Sequence, residues 1–181
     1  MTAHRIALPV LVYIPEGWPV GQTATICTYD MKQVGHIVHN QLKKTHVMGL
    51  ITTRLETASL FVGNSNAPYC SITLPANGEL EIYDDTGIQG FITHKTFSVL
   101  PEMECRDMRD HVFARIKPGL RGAHIIEGDT TVIGRYPGDP PRRPFPGQNV
   151  WVFTSEKAGD VDCRLILGTT ALELIPEISG D

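Results

Sequence analysis

The chain has 181 residues, of which 41% are hydrophobic and 20% are charged, and its formal net charge is −4. The hydrophobic content excludes an intrinsically disordered chain, and the acidic balance excludes the strongly basic composition of a typical nucleic-acid-binding domain. No apolar run approaches the roughly 20 residues that cross a bilayer, and the first residues lack the apolar region of a signal peptide. We therefore expect a cytoplasmic protein, folded as one compact domain over 1–181 with a weak subdivision near 119–122.

The first 30 residues predict a β-hairpin. Ile6–Ile14 is almost continuously apolar, and Thr23–Tyr29 is rich in Thr and Ile. Between them, Pro15–Pro19 has the Pro and Gly content of a turn. Pro9 cannot donate a hydrogen bond to a neighbouring strand, so the first strand is expected at an edge or bent at the proline.

The next segment predicts an amphipathic helix. Asp30 is typical of an N-cap, and Gly49 is typical of the residue that follows a helix. The apolar residues between them recur at helical spacing, at Val34, Ile37, Val38 and Leu42. The opposite face carries basic and imidazole side chains, namely Lys32, His36, His39, Lys43 and His46.

This basic face has three interpretations. A metal site is disfavoured because the lysines repel a cation and no carboxylate lies in the segment. An anion-binding face, for phosphate, nucleic acid or an acidic partner, fits the lysines and the hydrogen-bonding histidines. An ordinary solvated helix face requires no ligand at all.

Residues 50–97 predict a series of strands separated by turns rich in Gly, Asn and Asp. The candidate strands are Leu50–Leu55, Ala58–Val62, Tyr69–Leu74, Glu79–Tyr83 and Gly90–Phe97. Asn77–Gly78 predicts a hairpin between the third and fourth of them.

Pro101–Lys117 predicts a second helix, because acidic residues stand near its start and basic residues near its end. Within it, Asp107 and His111 are four residues apart, a spacing at which an acid and a base can pair. Arg106 and Arg109 alternate with the acids, which favours surface ion pairs over catalysis.

The remainder of the chain predicts strands again, at His124–Ile126, Thr130–Tyr136, Val150–Thr154, Val161–Leu167 and Leu172–Ile175. The loop over 137–149 interrupts them with five prolines, two arginines and a phenylalanine. Proline-rich segments of this kind form rigid connections or dock on aromatic grooves. Arg142, Arg143 and Phe145 are therefore the candidate partner-binding residues.

The four cysteines are widely spaced, which predicts reduced, buried thiols, and we expect no metal site and no cofactor. The expected fold is α+β, a mostly antiparallel β-sheet with two amphipathic helices packed on it. The favoured function is a non-enzymatic protein-interaction or assembly protein that binds a protein partner or a second copy of itself through exposed β edges and the loop. Two alternatives remain, a small hydrolase or transferase whose His and carboxylate groups meet only in the fold, and an anion or RNA binder that uses the first helix.

Overall fold

Short runs of β-branched and other apolar residues, punctuated by turns, form the main sheet of this protein. The structure, a computed structural model, describes residues 4–45, 52–74, 79–94, 102–120, 123–138 and 148–171. The described elements are β1 (Arg5–Ala7), β2 (Val10–Pro15), β3 (Thr23–Thr28), β4 (Gln33–Thr45), β5 (Thr52–Val62), β6 (Cys70–Leu74), β7 (Leu80–Asp84), β8 (Gly87–His94), β9 (Met103–Asp107), β10 (Val112–Pro118), β11 (Ala123–Glu127), β12 (Thr131–Arg135), β13 (Gln148–Thr154), β14 (Asp160–Asp162) and α1 (Cys163–Ala171).

The strands from β2 to β13 form a closed, antiparallel, twelve-stranded barrel. Each pairs with the strand that follows it in the chain, and β13 pairs with β2 to close the ring, with Trp151 opposite Val12. Because every barrel strand has two neighbours, the described barrel has no free edge, and β edges remain only on the two-stranded sheet of β1 and β14. The expected use of exposed β edges therefore has no support from the barrel.

The barrel interior is filled by apolar side chains and by helix α1. Side chains alternate between the two faces of each strand, so that Ile72 of β6 and Ile92 of β8 point inward and are at most 2% exposed. Helix α1 belongs to the same core, and every residue after Arg164 in it is buried. A Cβ at Gly168 would lie 2.5 Å from Cδ1 of Ile92, which places the helix against the inner wall.

The end of the barrel at which β3 turns into β4, and β9 into β10, is called the base here. The turns over 63–69, 85–86 and 128–130 lie at the same end, because consecutive strands are antiparallel neighbours. The small sheet of β1 and β14 also lies at the base, where β14 leads directly into α1. The connection over 16–22 and residues 119–120 belong to the opposite end.

The predicted helix from Asp30 to Gly49 is wrong, because Gln33–Thr45 is a long strand. Its buried positions follow a period of two, with Gly35, Ile37 and His39 facing inward. The apolar residues also fit a helical period, but the β-branched residues among them favour the strand. Residues 46–49 of the predicted helix lie outside the described residues.

The predicted helix from Pro101 to Lys117 is also wrong, because this segment forms the hairpin of β9 and β10. The turn between them is stabilised by Asp107, whose Oδ1 accepts hydrogen bonds from the backbone N–H groups of Arg109 and His111 at 2.9 and 3.0 Å. Asp110 has a φ of 61° in this turn, a conformation that a helix interior does not contain. The fold is therefore a β-barrel with a central helix, and the expected α+β sheet with two helices packed on it is wrong.

The predicted strand Val161–Leu167 is instead the end of β14 and most of α1. Asp162 caps the helix, since its Oδ1 accepts a hydrogen bond from the backbone N–H of Arg164 at 2.9 Å. Every residue of the helix except Arg164 is buried, which suits an element enclosed by a barrel and leaves no solvent-exposed face to give an amphipathic signal. The predicted strand Leu172–Ile175 lies outside the described residues.

Two predicted hairpins are confirmed. Strand β2 pairs with β3, and β6 pairs with β7 in the register Ile72 opposite Ile82. In the part of the chain that the structure describes, no helix has the length and apolarity needed to cross a membrane.

Candidate binding groove at the base of the barrel

Three depressions adjoin one another across the base of the barrel, and we call them together the base groove. The central depression has a volume of about 240 Å³ and is lined by side chains from β1, β10, β14 and α1, among them Arg5, Phe113 and Arg164. The second, of about 400 Å³, shares Phe113 and Arg164 with it and extends to Met108. The third, of about 470 Å³, shares Asp129 with the central one and extends to Lys157. Because neighbouring depressions share lining residues, the three lie side by side across the base.

One wall of the central depression is an ion-pair cluster around Arg5. Its Nε donates to Oδ1 of Asp160 at 2.5 Å, and its Nη1 donates to Oδ2 of Asp129 at 3.0 Å. The hydrogen bond to Asp160 is the main cause that raises the pKa of Arg5. The carboxylates differ in access, since the side chain of Asp129 is 84% exposed and that of Asp160 is 48% exposed.

The floor of the central depression is a second ion pair, between Arg164 and Asp162. Nη2 of Arg164 donates to Oδ2 of Asp162 at 2.6 Å, and Nε donates to both carboxylate oxygens at 3.1 Å. Burial alone would lower the pKa of Arg164, but the hydrogen bonds to Asp162 and nearby negative charge offset it, and the pKa is raised. The guanidinium carbon also lies 4.5 Å from the centroid of the Phe113 ring, within cation–π range.

The second depression has an apolar rim. Met108, in the turn between β9 and β10, lines it and is 58% exposed, and Phe113 lines it from β10. Gln89 and Arg109 line the same depression. Large exposed apolar side chains beside a charged cleft are common features of protein-binding surfaces.

None of the four cysteines is suited to act as a nucleophile. All four are free and buried, as the sequence predicts. Burial raises the pKa of Cys105 and of Cys163 to about 12, and it also raises the pKa of Cys27 and Cys70. These thiols are therefore protonated near neutral pH, whereas nucleophilic chemistry requires the thiolate.

The candidate anion-binding residues are not gathered on one face. His36 and His39 are three apart on β4 and therefore point to opposite faces of the strand. The ring of His36 stacks on Phe61 with centroids 4.7 Å apart, whereas His39 is 5% exposed and donates from Nδ1 to the carbonyl oxygen of Trp18 at 2.7 Å. Lys32 lies in the turn before β4, Lys43 lies within β4, and His46 lies outside the described residues. The helix that would have aligned these five residues does not exist.

The candidate partner-binding residues Arg142, Arg143 and Phe145 lie outside the described residues. The strands that flank their loop, β12 and β13, were predicted correctly from the sequence. The described residues that flank it, up to Gly138 before it and from Gln148 after it, lie at the end of the barrel opposite the base.

The residues of the base groove were not singled out as a site from the sequence. Arg5 and Asp160 are 155 positions apart, and no local pattern links them. Asp129 lies in the turn between β11 and β12, where an aspartate is an ordinary turn residue. The available signal was Asp162, an N-cap residue directly before an apolar run, which would have placed Arg164 in the first turn of a helix.

Within the described residues, no group of three or more His, Cys, Asp or Glu side chains is arranged to hold a metal ion. The three aspartates of the central depression instead accept hydrogen bonds from two arginines, Arg5 of β1 and Arg164 of α1. Comparison with protein-family models, with curated protein sequences and with solved structures found no match to this chain.

Proposed function

We propose that this protein is a non-enzymatic protein-binding module, and that the base groove holds a segment of its partner. The observation that supports this most is the row of adjoining depressions, which share lining residues and extend from Met108 past Arg164 and Asp129 to Lys157. An elongated surface depression suits an extended polypeptide, whereas a small metabolite is usually enclosed in a concave, mostly apolar pocket.

The occupied interior of the barrel supports the same proposal. Barrels that bind small molecules hold them in the lumen, but here α1 and the inward-facing side chains pack together in one core. The described depressions therefore lie on the outside of the barrel, where a partner protein has access to them.

The buried thiols argue against a cysteine-dependent enzyme, and they also indicate the cellular compartment in which the protein functions. With their pKa values raised by burial, Cys70, Cys105 and Cys163 do not supply the thiolate that a cysteine hydrolase or transferase needs. Four free cysteines also fit a reducing compartment, and we propose that the protein functions in the cytoplasm.

The test compares two matched substitutions of exposed apolar residues. Met108 lies at the groove, and Leu120, which is 91% exposed, lies at the opposite end of the barrel. Met108→Arg should abolish the capture of a partner from a native extract, because it places a bulky charge at the apolar rim, whereas Leu120→Arg should leave capture unchanged. Sedimentation of the purified protein determines whether the partner is a second copy of the chain. Equal capture by both variants and the unmodified protein would contradict the proposal.

A further inference from the structure

In the central depression of the base groove, the arginines donate to groups of the chain itself, whereas some carboxylate oxygens accept no hydrogen bond from the described residues. Arg5 uses Nε, Nη1 and Nη2 to donate to Asp160, to Asp129 and to the backbone carbonyl of Asp160. Arg164 donates to both oxygens of Asp162, and its guanidinium plane lies against Phe113. Arg5 and Arg164, the two arginines of the central depression, are therefore already paired by the chain itself.

The carboxylates retain acceptors that are not used. Asp162 is only 9% exposed, and both its oxygens accept from Arg164. Asp129 and Asp160 each give one oxygen to the side chain of Arg5, and among the described residues no donor bonds to Oδ1 of Asp129 or Oδ2 of Asp160. Since Asp129 is 84% exposed, its second oxygen faces solvent at the rim of the groove.

The charges of the central depression also favour a cationic occupant. Three aspartates face two arginines there, so the carboxylates outnumber the guanidinium groups by one. An incoming cation adds a favourable interaction, whereas an incoming carboxylate meets exposed carboxylates and arginines that are already paired.

We infer that the occupant of the base groove is an extended polypeptide segment that carries arginine or lysine, with the basic side chain on Asp129 and Asp160 and an apolar neighbour near Met108. A guanidinium or ammonium group supplies donors to the unused oxygens, and Met108 and Phe113 supply apolar contact. This inference rests on the proposed function and adds the chemistry of the partner.

The experiment uses short fluorescein-labelled peptides in which leucine alternates with arginine, with glutamine or with glutamate, and it measures binding by fluorescence anisotropy. The arginine peptide should bind the unmodified protein at least about threefold more tightly than the glutamine peptide, and the glutamate peptide should bind most weakly. Added salt should weaken the binding of the arginine peptide, because the contact is exposed.

Two variants should change the affinity for the arginine peptide in opposite directions. Asp129→Asn removes the exposed charge and should weaken binding of the arginine peptide, whereas Arg5→Gln releases both carboxylates and should strengthen it. Glu16→Gln changes an exposed carboxylate at the opposite end of the barrel and should have no effect. Circular dichroism confirms that each variant is folded before binding is compared.

Two outcomes would overturn the inference: equal affinity for the arginine and glutamate peptides, or equal weakening by Asp129→Asn and Arg5→Gln. Either outcome leaves the proposed function standing if Met108→Arg still abolishes partner capture. Failure of the Met108 test removes the proposed function itself.

Discussion

Glu104 and Arg115 lie directly opposite one another on β9 and β10, and Nε of Arg115 donates to Oε1 of Glu104 at 3.2 Å. Arg106 donates to the other carboxylate oxygen of the same glutamate. Glu104 is only 6% exposed, so this carboxylate is held between two guanidinium groups at the surface of the barrel. The acidic start and basic end that suggested a helix dipole are in fact the two sides of a cross-strand ion pair.

The ion pair predicts a loss of stability in acid. The hydrogen bond from Arg106, and then that from Arg115, holds the pKa of Glu104 below its usual value of about 4.5. A depressed carboxyl pKa contributes stability that is present above the unfolded value and is lost as the pH falls through the folded value. Urea midpoints measured from pH 7 to pH 3 should therefore differ between the unmodified protein and Glu104→Gln near neutral pH and converge below about pH 4.5. Glu79→Gln, at an exposed position before β7, is the control and should track the unmodified protein throughout. A constant difference across the range would contradict this assignment.

The Asp162–Arg164 pair predicts strong coupling in a double-mutant cycle. The two side chains are 9% and 17% exposed, so removal of one leaves the other charged, largely buried and unpaired. Asp162→Ala should lower the free energy of unfolding by about 3 kcal/mol, and Arg164→Met should also be destabilising. The double variant should lose less than the sum of the two single losses, as measured by chemical denaturation. Additive losses would mean that the pair does not act as a unit.

Two glycines of the core differ in what surrounds them. A Cβ at Gly90 would lie 2.2 Å from the backbone carbonyl oxygen of Arg106, so Gly90→Ala requires β8 and β9 to separate. This change should cost about 1–3 kcal/mol of stability. A Cβ at Gly168 meets Cδ1 of Ile92, the end of a flexible side chain, and alanine in a helix is favoured over glycine by up to about 1 kcal/mol. Gly168→Ala should therefore be the milder variant in thermal unfolding, and the reverse order would show that α1 packs more rigidly than the strands.

The loop over 137–149 remains a candidate second contact surface. Its prolines restrict φ and lower the entropy cost of ordering the loop on a partner, and Arg142 and Phe145 provide charge and an apolar anchor. We expect that Arg142→Ala combined with Phe145→Ala leaves the melting temperature nearly unchanged but weakens partner binding or self-association in sedimentation. Marked destabilisation with intact association would show that these side chains pack into the fold.

The secondary structure could be predicted for elements whose pattern of apolar residues matches their burial in the fold. Strand β7 alternates Leu80 and Ile82, which are buried, with the partly exposed Glu81 and Tyr83, and both its period and its turn signals indicated a strand. Strand β4 was not predictable in the same way, because its inward-facing positions include Gly35 and His39, which carry no apolar signal. The apolar residues on its two faces together imitated a helical period.

Helix α1 and the base groove depend on contacts that are distant in sequence. A short apolar run is compatible with a buried strand or a buried helix, and the barrel that surrounds α1 decides between them. Arg5 reaches Asp160 only because β1 pairs with β14, and all twelve barrel strands lie between these two strands in the chain. No spacing within one segment carries that information.

The order of the elements along the chain has a consequence for biosynthesis. Helix α1 follows all twelve barrel strands, and β2 finds its second neighbour, β13, only after more than a hundred intervening residues. A ribosome therefore releases the wall of the barrel before it releases the segment that fills the centre. During that interval the apolar side chains that line the barrel, including Ile72 and Ile92, have no helix to pack against. The nascent chain is thus exposed to misassembly until synthesis passes α1, and chaperone contact during translation is most valuable at that stage.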